Sequence, residues 1–166
     1  VSDFEIRAAL PEEFDAVGAV TVEAYAADGY IGDNVEDGYA DQLRNAARRA
    51  EQAELVVAVD YSGEVLGSVT VVRPGTELAE ISRDGELEFR MLSVTPNARG
   101  RGVGAALTAA VLERAGGIAA QRVVMSSLEL MKTAHRMYER LGFTRLPERD
   151  WEPAPGIQLV AYSFEL

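Results

Sequence analysis

The spacing of apolar positions along the chain switches repeatedly between a two-residue and a 3.6-residue period. Phe4-Glu5-Ile6-Arg7-Ala8 alternates and predicts a short strand. Pro11-Glu12-Glu13 opens a helix, because proline fits a first helical turn and acids suit its positive end. Phe14, Val17, Thr21 and Tyr25 then share one helical face. Asp28 to Gly38 is rich in glycine, aspartate and asparagine and reads as a loop. Tyr39, Leu43, Ala46, Ala47 and Ala50 mark a second helix. Leu55 to Val59 is an unbroken apolar run, hence a buried strand, and Tyr61-Ser62-Gly63-Glu64 turns it back into Val65 to Val72 as a hairpin. A polar loop, Pro74 to Asp84, precedes a strand at Leu87 to Val94. A helix follows at Val103 to Ala115, then a strand at Arg122 to Leu128. The helix Lys132 to Leu141 is stopped by Gly142. Arg145 to Gly156 is a loop with three prolines, and Ile157 to Leu166 alternates as the last strand.

The order β-α-α-β-β-β-α-β-α-β combines a hairpin with crossover helices, which requires a mixed sheet. The expectation is an α+β fold with a mixed central β-sheet flanked by helices. Residues 1–166 carry no linker or repeat and are expected to form one domain.

One strand changes phase. Leu87, Phe89 and Met91 are apolar at odd positions, with Glu86, Glu88 and Arg90 between them; Leu92 and Val94 are then apolar at even positions around Ser93. Side chains alternate faces along a strand, so the inversion implies either a β-bulge at Met91–Leu92 or two apolar faces meeting in a sheet buried on both sides. A bulge leaves backbone groups unpaired, and an extended ligand can supply their partners.

Just beyond it, Thr95-Pro96-Asn97-Ala98-Arg99-Gly100-Arg101-Gly102-Val103-Gly104-Ala105 runs into a helix. Backbone amides at a helix start, close-approach glycines and two arginines make a cradle for a diphosphate. Gly100 to Ala105 also satisfies G-x-G-x-x-G/A, with Glu129 a strand later, but the dinucleotide fingerprint follows an apolar strand at once. Here Thr95 to Arg99 intervene, and the strand carries three charges. No G-K-[S/T] follows, so this is not a P-loop.

Composition removes other mechanisms. The chain has no cysteine and a single histidine, His135, which excludes a cysteine nucleophile, thiolate metal sites and a multi-histidine metal centre. A net charge of −11 repels nucleic acid and anionic membranes and attracts cations. No run is long enough to span a membrane, and a cytoplasmic location is the default.

The bulged strand, the proline, the loop Arg99-Gly100-Arg101-Gly102-Val103-Gly104 and the helix end Tyr138-Glu139-Arg140-Leu141-Gly142-Phe143 together resemble the GNAT acetyltransferase superfamily, whose cofactor motif is [Q/R]-x-x-G-x-[G/A]. The resemblance covers the whole chain. It implies that the amides of Arg99 to Ala105 hold the pyrophosphate of acetyl-coenzyme A. It implies that the approach strand Leu92-Ser93-Val94 pairs with the pantetheine arm, where two parallel strands splay into a V. An asparagine common near position 131 is Met131 here, so either Ser126 or Ser127 replaces its contact or the contact is absent.

Acylating an amine requires removing its proton, stabilising an oxyanion and protonating a thiolate. The resemblance places Tyr138 as the acid beside the sulfur. Glu88, flanking the bulge on the polar side of the strand, is the candidate base, with Glu86 as its backup, and the N–H of Leu92 is the candidate oxyanion donor. His135, among Lys132, Arg136 and Glu139, reads as structural on a polar helix face. Tyr30, Asp33 and Trp151 lie on loops that border the acceptor pocket in this family. The implied function is transfer of an acetyl group from acetyl-coenzyme A to a primary amine, small or peptidic and cationic, in a ternary complex, with a homodimer as a further expectation. The alternative is a non-catalytic coenzyme A sensor.

Overall fold

The computed structural model describes residues 3–31 and 38–166. They fall into two compact units that alternate along the chain: Val1–Val71 with Met91–Ala110, and Val72–Arg90 with Val111–Leu166.

The first unit begins with β1 (Phe4–Ala8), a 3-10 turn at Pro11–Glu13 and α1 (Phe14–Ala27). α2 (Gly38–Arg44) and α3 (Ala46–Gln52) follow. These two replace the single second helix that the apolar spacing predicts. Asn45 is the reason: its φ of −84° and ψ of 68° leave the helical region, and its side chain accepts the Arg48 N–H as an N-cap. β2 (Glu54–Asp60) pairs antiparallel with both β1 and β3 (Val65–Val72). The β2–β3 turn is closed by Asp60, whose carboxylate takes the amides of Ser62 and Glu64. β3 is buried along its whole length, as a strand covered on both faces must be. Val17, Val20, Ala46, Leu55, Val57, Val59 and Val65 form the core here.

β4 (Glu86–Val94) passes from the second unit to the first after Arg90. Met91 has a φ of 55°, left-handed for a non-glycine residue, at the point where the sequence pattern inverts. α4 (Val103–Gly117) likewise starts in the first unit and ends in the second.

In the second unit β4 pairs parallel with β5 (Arg122–Leu128) through Glu86–Arg122, Leu87–Val123 and Glu88–Val124. β5 continues to Leu128, paired on its other side with β8 (Ile157–Glu165). α5 (Lys132–Leu141) ends at Gly142, whose φ of 107° is the expected left-handed stop. The proline-bearing segment before the last strand is not all loop: β6 (Thr144–Arg145) and β7 (Trp151–Ala154) both pair with β8. Phe89, Tyr138, Phe143, Tyr162 and Phe164 make an aromatic core with ring centroids 5.4–6.1 Å apart. No helix among the described residues is long and apolar enough to cross a membrane. The fold is α+β, with a mixed, mostly antiparallel sheet and flanking helices.

Candidate active site

The first unit holds the glycine loop. Thr95 donates its N–H to the Leu66 carbonyl at 2.9 Å, a 3-10 turn spans Pro96–Ala98, and Arg99 returns to extended backbone. Gly100 and Gly102 then adopt φ of 80° and 79°. A Cβ built on either meets nothing within 4 Å, so no protein atom uses that space. The first α4 bond runs from the Ala106 N–H to the Gly102 carbonyl at 3.0 Å. The amides of Val103, Gly104 and Ala105 therefore lie ahead of the helical ladder, as donors at a positive helix end. Left-handed glycines, vacant space above them and free-standing amides fit a diphosphate.

The two loop arginines are arranged differently from a simple phosphate clamp. Arg99 forks onto Asp28 at 2.6 and 2.9 Å and reaches the Ala24 carbonyl at 3.4 Å; Arg101 donates to Asp3 at 2.6 Å. Each guanidinium is already paired with a carboxylate, leaving backbone amides as the loop's unengaged donors.

The approach strand is fixed from behind. Ser93 is buried, and its hydroxyl lies 3.4 Å from both Ser68 and Thr21, with Thr21 and Ser68 3.5 Å apart. Gly67 admits the strand closely: its Cβ would lie 2.6 Å from the Ser93 carbonyl. Leu92 and Val94 remain half-buried on either side of Ser93, two apolar side chains available to an extended ligand. In the same unit Tyr30 donates its N–H to Tyr25 and sets its ring edge-on to Tyr25 at 6.1 Å. Burial and the nearby Asp28 raise its phenol above the ordinary value, against the opposing charge of Arg99. Asp33 lies outside the described residues.

The second unit holds the proton-transfer candidates. Tyr138 is 4 % exposed, wedged among Phe89, Phe143 and Tyr162. Burial, with Tyr162 adding to it, pushes its phenol well above the ordinary value, so it stays protonated at neutral pH.

The face of β4 bearing Glu86, Glu88 and Arg90 is not a solvated polar face. Glu88 is 0 % exposed. Its Oε1 accepts the N–H groups of Glu80, Ile81 and Ser82 at 3.0, 3.3 and 3.1 Å, and Oε2 accepts Glu80 again at 3.2 Å. Arg90 ties the same segment through the Leu78 carbonyl and the Glu80 carboxylate. Glu86 is gripped by Arg149 at 2.6 and 2.8 Å and by the Arg83 amide at 2.8 Å. Burial raises its carboxyl, but the Arg149 hydrogen bonds and the Arg83 amide outweigh that and hold it below its ordinary value. The alternating charges strap the preceding loop onto the strand. A carboxylate shut away from solvent, with its oxygens already accepting these hydrogen bonds, is poorly placed to collect a substrate proton, so the sequence-based choice of Glu88 or Glu86 as base is revised.

His135 is the converse case. Its charged neighbours in sequence suggest a polar face, yet it is only 6 % exposed and, with Tyr138, makes up the buried residues of α5. Its Nε2 lies 3.0 Å from Ser127 Oγ, and its ring is 5.3 Å from Tyr162. The i, i+3 spacing of His135 and Tyr138 was the available signal, since it puts both on one face. Ser127 also approaches the Met131 sulfur at 3.5 Å, and Ser126 accepts the Trp151 indole N–H at 3.2 Å. Both serines thus have protein partners. Trp151 is half-buried on β7.

The model of the acetyltransferase (GNAT) family matches residues 20–143. A mycothiol acetyltransferase of Sanguibacter keddieii is 32% identical over 144 residues, covering 84% of this chain and 43% of the relative. An N-acetylaspartate synthetase of Danio rerio is 35% identical over 74 residues, covering 45% of this chain and 26% of the relative. The chain thus spans less than half the length of these curated relatives. Among solved structures, a GNAT-family acetyltransferase of Staphylococcus aureus Mu50 superposes with a TM-score of 0.77 at 12% identity, covering 98% of this chain and 99% of the other.

Proposed function

The chain belongs to the GNAT acetyltransferase family, and from that premise we propose that it transfers the acetyl group of acetyl-coenzyme A to a primary amine by direct attack. The observation that carries this reading is the glycine loop: left-handed Gly100 and Gly102 under open space, followed by amides ahead of the α4 ladder. Those amides receive the pyrophosphate, and Leu92, Ser93 and Val94 offer backbone to the pantetheine arm. The co-substrate supplies an activated acyl carbon; the protein supplies orientation and proton transfer.

The Leu92 N–H, next to the bulge at Met91, is the proposed oxyanion donor, and Tyr138 the proposed acid for the departing thiolate. With no cysteine in the chain, a thioester-linked acyl-enzyme is ruled out, which agrees with direct attack. Tyr30 and Trp151 are proposed acceptor contacts. The net charge of −11 favours an acceptor that arrives as a cation.

The test is turnover of acetyl-coenzyme A across a panel of amines, read as free thiol. Thiol release that depends on one class of amine supports the reading. Tight binding of coenzyme A with no amine-dependent release favours a sensor, and failure to bind coenzyme A thioesters overturns both.

A further inference from the structure

We propose that Ser127 and His135 form a proton relay that deprotonates the acceptor amine, with His135 as the terminal base. The proposal rests on the acetyl-transfer reading above and fills the role that the sealed Glu88 leaves open.

Three observations within the second unit carry it. First, the two groups are in hydrogen-bond contact, with His135 Nε2 3.0 Å from Ser127 Oγ. In the tautomer with the proton on Nδ1, Nε2 accepts and the Ser127 hydroxyl donates. The Met131 sulfur at 3.5 Å is the weaker acceptor for that single hydroxyl proton. Second, Ser127 lies on β5 beyond the segment that is registered against β4 within the second unit, Glu86–Arg122 to Glu88–Val124. Third, α5 presents His135 and the proposed acid Tyr138 on one buried face, and both rings contact Tyr162, at 5.3 and 6.1 Å.

The groups that set the charge state of His135 are distributed over every neighbouring element. Lys132 and Glu139 lie on α5, Arg145 on β6, and Tyr162 on β8 with its hydroxyl donating to Glu139 at 3.3 Å. Burial comes first in favouring the neutral ring and Lys132 adds to it, while the Leu128 carbonyl and Glu139 oppose. A neutral imidazole is the state a base requires.

An ammonium proton passes to Ser127 Oγ as the Ser127 proton passes to His135 Nε2. The freed nitrogen lone pair bonds to the thioester carbonyl carbon as the C=O π pair moves to oxygen. The carbonyl then re-forms as the C–S bond breaks, and the thiolate takes the Tyr138 proton. The second N–H proton returns to the Tyr138 phenolate by way of water, and His135 gives its proton to water. Ser127 forms no covalent bond to the acyl group.

The experiment measures amine-dependent thiol release against pH for the wild type, Ser127→Ala, His135→Gln, Ser127→Thr and Glu88→Gln, with coenzyme A affinity measured alongside. Ser127→Ala and His135→Gln are each expected to lower kcat about 10²-fold with coenzyme A affinity unchanged. The double variant should be no slower than either single one, because the two act as a unit. The loss should shrink as pH rises and the amine arrives neutral, and Ser127→Thr should restore most of the rate. Ser127→Ala deletes one buried hydroxyl and serves as the readout if His135→Gln does not fold. Wild-type kcat and pH profile in Ser127→Ala overturn the relay alone, as does a low-pH limb moved by Glu88→Gln but not by His135→Gln. A wild-type chain that binds no coenzyme A thioester overturns the acetyl-transfer reading, and the relay with it.

Discussion

The Arg99 guanidinium forks onto the Asp28 carboxylate, Nη1 to Oδ1 at 2.6 Å and Nη2 to Oδ2 at 2.9 Å. Asp28 is the C-terminal cap residue of α1, and Arg99 is the first residue of the glycine loop. The pair therefore joins the segment leading to Tyr30 to the loop proposed to hold a pyrophosphate. It also neutralises a cation that the phosphates would otherwise attract.

Removing the competitor should release that cation. Asp28→Asn is expected to tighten coenzyme A binding several-fold at low ionic strength, with the gain fading as salt screens the charge. Folding stability should change by no more than about 1 kcal/mol, since the pair is partly exposed. Calorimetric titration at two salt concentrations decides it. Weaker binding in Asp28→Asn would mean that the pair shapes the loop rather than masking it.

Gly102 carries the second prediction. At a φ of 79° an L side chain costs about 1–2 kcal/mol, and a branched one stands at the upper end. No protein atom lies within 4 Å of its Cβ position, so Gly102→Val should fold with a loss of that size. The new side chain would stand where the diphosphate is proposed to lie, and coenzyme A binding should disappear. Thermal unfolding with and without coenzyme A measures both effects, and a normal ligand shift in Gly102→Val would show that the loop is structural.

Much of this was legible in the sequence. The inversion after Met91 pointed to a local break in the strand because strand side chains alternate, and Met91 has a left-handed φ at that point. Gly142 announced the end of α5 because a left-handed stop favours glycine. The site chemistry was read less well, since alternation reports which face a residue is on but not what covers that face. Glu86, Glu88 and Arg90 do share one, but their own preceding loop lies over it, through backbone amides that carry no residue code. His135 was misjudged for the same reason: charged neighbours in sequence point elsewhere around a helix. Asn45 split a helix whose apolar spacing ran straight through it, a local cap overriding the longer pattern.

Glu88→Gln tests the strap. The amide oxygen could keep the Oε1 bonds to the N–H groups of Glu80, Ile81 and Ser82, but the new NH2 would stand at the Oε2 position facing the Glu80 N–H, a buried donor against a donor. Stability should fall by about 1–3 kcal/mol, the cost of a buried unsatisfied donor. Hydrogen exchange at those three amides should accelerate, and the shape of the pH–rate profile should stay unchanged. A shifted low-pH limb without faster exchange would restore Glu88 as the base.

Tyr138 gives two readouts that a structural tyrosine does not share. If its hydroxyl protonates the leaving thiolate, Tyr138→Phe should lower kcat by about 10²–10⁴-fold while coenzyme A affinity holds, because the interaction is made in the transition state. The stability effect has a definite sign. Burial raises the folded-state phenol pKa above that of the unfolded chain. The stability tied to its protonated form is thus fully present below about pH 10, where a free phenol begins to ionise. Above that, the unfolded chain binds fewer protons than the folded one, so stability falls as pH rises. Tyr138→Phe should flatten this alkaline decline, leaving the smaller contribution of Tyr162, whose phenol is also raised by burial and by Glu139. Denaturant unfolding at neutral and alkaline pH, run beside the rate assay, separates the outcomes. A flattened decline with an unchanged kcat would make Tyr138 a core residue only, and a depressed kcat with unchanged coenzyme A affinity would place its hydroxyl in the transfer step.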